Sequence, residues 1–327
     1  EREVQDIIDL GIDLRLNHRI DDLDTLFDQG FAAILIAVGA HEGIRLPIPG
    51  SNLKGVLVNT HFLRDVRLGK YQNPNGGDGT VPVLGQRVMV LGGGNVAIDC
   101  ARSAIRLGRE VHLACLESRE HMPCHAWELE AAEAEGVMVH AGRSFERILG
   151  DEQGQVQGLE CTQVADFHFD ERGRVHVEKI PDSTHLLACD TVIFSVGQRA
   201  GLAFIPDDAN VGLTERQTIA INPNTLATSR AGVFAAGDCI SGTAFVIEAV
   251  ERGHTAAQSI TRYLKHQPLE PPIQAELPVV HLSSQEIEQR IALGQAQRLP
   301  SPLVEQIQAG PLDPIWIGRS HHPAGLA

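Results

Sequence analysis

The residues with the clearest chemical purpose are Gly92, Gly93, Gly94, Asn95, Val96 and Ala97, which close the stretch Val88-Met-Val-Leu-Gly-Gly-Gly-Asn-Val-Ala97. An apolar, β-branched run ends there in a Gly92-x-Gly94-x-x-Ala97 turn and passes into a helical pattern. The first glycine permits the tight turn, the second lets backbone approach a pyrophosphate, and Ala97 is small enough for close helix–strand packing. Asn95 and Val96 open the helix, so its free N–H groups and positive dipole end face the phosphates. Twenty residues beyond Ala97 stands Glu117, the distance at which an acid meets the adenosine ribose 2′-hydroxyl of a bound dinucleotide. A hydroxyl can donate to this carboxylate, whereas a 2′-phosphate is repelled by roughly 1 to 4 kcal/mol per charge pair. The residues therefore favour NADH. Arg119 and His112 nearby leave NADPH possible, and a solvated acid at a strand end is the plainer alternative for Glu117.

These residues need elements to hold them. The helix runs from Val96 to Leu107 with Gly108 as its C-cap, and a second strand, Val111 to Leu116, delivers Glu117. Upstream, Val4 to Leu10 reads as helix, Ile12 to Leu16 as a short strand and Leu23 to Phe27 as a helical turn. Residues 32–40 form a continuous apolar run ending in small residues, as in a parallel strand covered on both faces. A polar linker from Lys70 to Gly85, containing Asn75-Gly-Gly-Asp-Gly79, reads as a domain boundary. Downstream come hairpin strands at Val156–Val164 and Val175–Ile180, then a buried strand, Thr191–Val196, ending at Gly197. A last strand, in Gly232-Val-Phe-Ala-Ala-Gly237-Asp238, precedes a helix over 244–264. A strand ending in Gly-Asp can set a carboxylate at a ribityl hydroxyl, with the next helix N-terminus toward a flavin carbonyl. Asp238 reads equally as an N-cap or turn residue.

Composition narrows the field. A chain of 327 residues suits two domains, and 43% hydrophobic residues with 32 glycines suit an α/β protein rich in tight turns. The net charge of −15 argues against a nucleic-acid partner or an anionic membrane surface. The six cysteines form no C-x-x-C pair, so neither a redox dithiol nor an iron–sulfur centre within the chain is indicated. With no long apolar span or signal peptide, no membrane span is expected and the cytoplasm is the expected compartment. His121, Cys124 and His125 have metal-binding composition but read as structural, so no metal is expected. Asp99 and Arg102 read as interdomain or capping residues, because hydride transfer needs positioning rather than a proton shuttle, and no side chain is expected to be catalytic. Ser283 to Leu293 reads as an amphipathic surface helix.

Taken together, the motifs "ILIAVGA" (34–40), "LGGGNVAIDCAR" (91–102), "ESREHMP" (117–123), "TVIFSVGQ" (191–198), "GVFAAGD" (232–238) and "SGTAFVIEAVERGHTAA" (241–257) carry a family likeness. The chain resembles the FAD-dependent pyridine nucleotide oxidoreductases of the glutamate synthase small-subunit type. The resemblance implies an α/β fold with two Rossmann-like dinucleotide-binding domains, the FAD domain discontinuous and incomplete and the NAD(P)H domain inserted into it. Residues 1–84 would be FAD domain plus linker, 85–200 the NAD(P)H domain, 201–265 the return of the FAD domain, and 266–327 a C-terminal extension. It further implies that Ala37, Val38, Gly39, Gly237 and Asp238 belong to the flavin site, with Val246 near the isoalloxazine ring, while Gly197 joins Gly92 to Ala97 in the nicotinamide domain. Electrons would pass from NADH through FAD to an acceptor on a partner subunit or iron–sulfur protein.

The chain also departs from that family. It has no second Gly-x-Gly-x-x-Gly turn at its start, so the ADP half of FAD lacks its seat, as in a fragment. The cysteine-rich segment that binds iron–sulfur clusters in glutamate synthase small subunits is not found. Where such members carry Tyr-Arg-Arg for a 2′-phosphate, the chain has Cys115, Leu116 and Glu117, which strengthens the NADH expectation. A non-catalytic nucleotide-binding or docking subunit that has lost FAD binding is the alternative.

Overall fold

The computed structural model describes residues 2–71, 83–170, 175–270 and 282–295. The fold is α/β, and the chain divides into two compact units, one of Glu1–His41 and Arg199–Gln274, the other of Glu42–Gln198 and Ala275–Ala327.

The second unit is built on five parallel strands in the order Val56–Val58, Thr191–Phe194, Arg87–Leu91, Glu110–Ala114, Met138–His140. Parallel strands are covered on both faces, which is why they read as unbroken apolar runs. Val88, Met89, Val90, Leu91, Val192, Ile193 and Phe194 are all fully buried. The Asn95–Arg106 helix covers one face through Ala97, Ile98, Cys100, Ala101 and Ala104, all 0 or 1% exposed. Against the other face lies an antiparallel sheet of His185–Ala188, Val156–Phe169 and Arg143–Gly150, with Val175–Lys179 on the far half of the long strand.

This unit starts earlier than the sequence suggests. Val56-Leu-Val58 looks too short to matter in the sequence, yet it adds beside Thr191–Phe194, so residues 42–71 fold with the nucleotide sheet rather than with residues 1–41. The crossings fall at residues 41–42 and 198–199 instead of in the 70–85 linker, of which residues 72–82 lie outside the described residues.

In the first unit Ile34–Ile36 pairs in parallel with Val233–Ala235, and an antiparallel bridge joins Ala227 to Phe234. Leu23, Ile34, Ile36, Ile219, Val233, Ala235 and Cys239 form its core, and the Val246–Leu264 helix packs through Ala256 against Leu226 and Ala236. The expected strand at Ile12–Leu16 does not form. A strand needs a hydrogen-bonding neighbour, none among the described residues pairs with it, and Ile12, Leu14 and Leu16 are more than half exposed. Ser284–Ala292 is helical, started by a capping box between Ser283 and Glu286, with no buried residue.

Candidate functional site

Register across the nucleotide sheet aligns Val58, Phe194, Leu91 and Ala114, so Asn59, Ser195, Gly92 and Cys115 follow as a row at the carboxyl ends. Open α/β sheets bind ligands at this edge, where strand order reverses. The reversal here lies between Arg87–Leu91 and Thr191–Phe194, at the glycine turn.

The three glycines of the turn do different work. Gly92 has φ +134°, and a Cβ there would stand 2.2 Å from the Ser195 carbonyl oxygen, so no other residue fits. A Cβ on Gly93 would crowd Cys115 and lie 3.1 Å from Glu117 Oε2, which places that carboxylate against the turn. Gly94 caps the helix with extended backbone, and a Cβ there would meet nothing within 4 Å, leaving the space above it open. Ala97 is fully buried. Asn95 and Val96 are half-buried at the helix start, as expected, but the Asn95 side chain is engaged: its Oδ1 accepts from His125 N at 2.9 Å.

Glu117 lies three residues past the strand and is half-buried. Two backbone bonds fix its approach, Gly142 N–H to Glu117 O and Arg143 N–H to Cys115 O, both 2.7 Å. Arg119, the nearest cation in sequence, is committed to Glu133 through both guanidinium ends. Cys124 N donates to Gly93 O at 3.2 Å, and Ser118 Oγ meets His121 Nδ1 at 2.8 Å. Segment 118–125 thus braces the glycine turn, a role that its sequence does not announce. Gly197 adopts φ +121° with its carbonyl accepting from Ile44 N.

Asn59 escaped sequence reasoning. It is 1% exposed, and neither its Nδ2 nor its Oδ1 has a hydrogen-bond partner, the kind of orphaned buried group that a bound ligand or water explains. Its only signal is its place directly after an apolar triplet. Arg102 also differs from expectation: it donates to Glu135 Oε1 at 3.0 and 2.6 Å, joined by Arg106, and so ties two helices of one unit. Burial raises the Glu135 carboxyl, but the two guanidinium groups outweigh it and hold it below the usual range.

In the other unit, Ala236 N–H donates to Ile36 O at 3.0 Å, bringing the ends of both strands together. Gly39 and Gly237 take φ +70° and +76°. They line a cavity of about 310 Å³ with Ala37, Asp238 and Val246, bounded further by Leu35. Val38 packs at the core beside it. Asp238 is half-buried at the start of a short helix, and Val246 opens the next one with 81% exposure. An apolar slot with one carboxylate at its end fits a flavin ring and ribityl chain.

All six cysteines are free. Burial pushes the Cys115, Cys161 and Cys189 thiols up to about 12, so they stay protonated at neutral pH. Among the described residues no helix is long and apolar enough to cross a membrane.

A glycine turn at the switch point of a parallel sheet, with a separate apolar cavity in the other unit, matches the architecture of two-domain dinucleotide-binding oxidoreductases. The chain belongs to the pyridine nucleotide-disulphide oxidoreductase family, whose sequence profile matches residues 7–258. It is 38% identical to the NADP(+)-dependent formate dehydrogenase subunit beta of Moorella thermoacetica over 281 residues, covering 84% of this chain and 38% of that protein. It is 30% identical to the glutamate synthase [NADPH] small chain of Azospirillum brasilense, covering 81% and 56%. The resemblance to glutamate synthase small chains therefore holds. In both cases the chain spans well under two thirds of its relative's length. Its fold is similar to that of FprA from Mycobacterium tuberculosis, with a TM-score of 0.57 and 17% identity, covering 76% of this chain and 68% of that one.

Proposed function

We propose that the chain is the nucleotide-binding, flavin-linked part of an NADH-dependent oxidoreductase that delivers electrons to an acceptor on a partner subunit or iron–sulfur protein. The observation that carries the reading is the pairing of an open Gly94 with a Glu117 carboxylate held against Gly93. The turn and the Asn95–Arg106 helix N-terminus would take the pyrophosphate, and Glu117 the adenosine ribose. Asn59 and Ser195, beyond the reversal point from Glu117, would offer polar groups to the second nucleoside. Ala37, Gly39, Gly237, Asp238 and Val246 would hold the flavin, with Asp238 accepting from a ribityl hydroxyl. When bound, the two cofactors supply a hydride donor and a hydride acceptor. The protein's part is to orient them and keep water out.

Both relatives are named for NADP(H). The preference for NADH in this chain rests on Glu117, which would face a 2′-phosphate, and on Arg119, whose charge is already paired with Glu133. The relatives' names, a beta subunit and a small chain, support a partner that carries the acceptor. The test is the visible spectrum of the chain supplied with FAD, before and after anaerobic NADH. A retained flavin band that bleaches is expected. No retained flavin would instead favour a nucleotide-binding or docking subunit.

A further inference from the structure

Glu117 is held from behind by two peptide groups. The Gly142 N–H donates to Glu117 O and the Arg143 N–H to Cys115 O, while the oxygens of the same two peptides, Ala141 O and Gly142 O, accept from Arg143 Nη1 at 2.8 and 3.1 Å. Each peptide is thus bonded at both ends, an arrangement in which one hydrogen bond polarises and strengthens the next.

What steadies the guanidinium is His185. Arg143 Nε donates to His185 Nε2 at 3.1 Å, and His185 Nδ1 lies 2.8 Å from the Ser183 carbonyl oxygen. A guanidinium can only donate and a carbonyl can only accept, so the imidazole carries its hydrogen on Nδ1 and leaves Nε2 as the acceptor. That is the neutral form. A second proton would turn Nε2 into a donor aimed at another donor and set two cations 3.1 Å apart.

The surroundings give such a proton little relief. Burial first, then His112, Arg143 and His185, hold the neighbouring His140 imidazole below its ordinary value. His112 stacks on His140 with ring centres 5.1 Å apart, and its Nε2 meets Glu110 Oε1 at 3.1 Å. Cys161, paired with His185 in strand register, keeps its proton because burial pushes its thiol up to about 12. Glu146 and Glu160, the carboxylates near Cys161, are engaged by Lys179 at 2.8 Å and by Arg147 at 2.9 Å. We propose that Arg143 is a positioning residue for the adenosine end of the dinucleotide site and that His185 is its latch, closed while neutral and released on protonation, an inference that rests on the function proposed above. Acid then loosens the hold on Glu117.

Two measurements on the full chain separate the latch from that function. Calorimetric titration with NADH should give binding about fivefold weaker at pH 6 than at pH 8. His185→Gln should bind equally at the two pH values, since its amide can accept from Arg143 but gains no proton, whereas His140→Gln should keep the slope. Arg143→Ala should bind weakly at both. Without ligand, amide hydrogen exchange at Gly142 and Arg143, corrected for its intrinsic pH dependence, should quicken at pH 6 in the parent, a readout that needs no variant to fold. Equal protection of these amides at both pH values would overturn the latch, as would a binding slope that persists in His185→Gln or vanishes in His140→Gln. Amides that open at pH 6 in a chain that binds no NADH at either pH would support the latch and defeat the proposed function.

Discussion

Both units end apolar parallel strands in glycine, yet they do so in different surroundings. In the nucleotide unit the strand Arg87–Leu91 is third of five, its core residues are fully buried, and the turn, the helix behind it and Glu117 all lie within residues 92–117. In the other unit two strands pair alone among the described parallel strands, and the slot draws on residues 35–39, 236–238 and 244–253. Phe245, Val246 and Ile247 are 59, 81 and 72% exposed there. A seat made from one stretch of chain is rigid by local geometry. A seat assembled from three stretches depends on what packs around it.

The sharpest way to break that contrast lies inside the glycine turn. Gly92→Val should destabilise the nucleotide unit by about 3 kcal/mol, because its Cβ would meet the Ser195 carbonyl and its φ is unsuited to valine. Thermal melting reads this directly. Gly94→Ala should melt like the parent, since nothing lies within 4 Å, yet bind NADH at least tenfold more weakly, about 1.4 kcal/mol, because its methyl would take the pyrophosphate's place.

A change in the second unit should act independently. Asp238→Ala is expected to weaken FAD retention about tenfold, roughly 1.4 kcal/mol, and to leave NADH titrations unchanged. Loss of both together would mean that the two sites are not separate. Next in size, Glu117→Arg should move selectivity several-fold toward NADPH in paired titrations. Unaltered selectivity would remove Glu117 from the ribose.

The smallest expected effect is a pH dependence confined to the nucleotide unit. Burial lowers the His140 imidazole below its ordinary 6.5, reinforced by His112, whose Nδ1 lies 2.8 Å from it, and by Arg143 and His185. The unfolded chain thus takes up this proton first as pH falls. The stability that His140 contributes is complete above its unfolded pKa and is lost as pH drops through the lower folded one. Melting temperature should fall between pH 7 and 5, and His140→Gln should flatten that slope.

Much of this was legible in the sequence, and the physical reason is periodicity. Buried parallel strands are continuous apolar runs, so residues 88–91, 111–114 and 191–194 stood out, as did the turn whose glycines sterics require. Val56–Val58 was missed because three residues carry no period. The Ile12–Leu16 segment was misread because alternation alone does not supply a pairing partner. Ala37, Val38, Gly39 and Val246 are assigned to a flavin through resemblance alone, whereas Gly237-Asp238 also carries a pattern of its own, a strand ending in Gly-Asp. Asn59 and the bracing of the turn by Cys124 and His125 left no trace, since a buried amide and a backbone bond have no spacing signature.

On the proposed function, a pyridine dinucleotide lies across this sheet with its adenosine ribose at Glu117. Paired calorimetric titrations of the chain with NADH and NADPH test it most directly. One NADH should bind per chain, more tightly than NADPH. No binding of either, or tighter binding of NADPH, would contradict it.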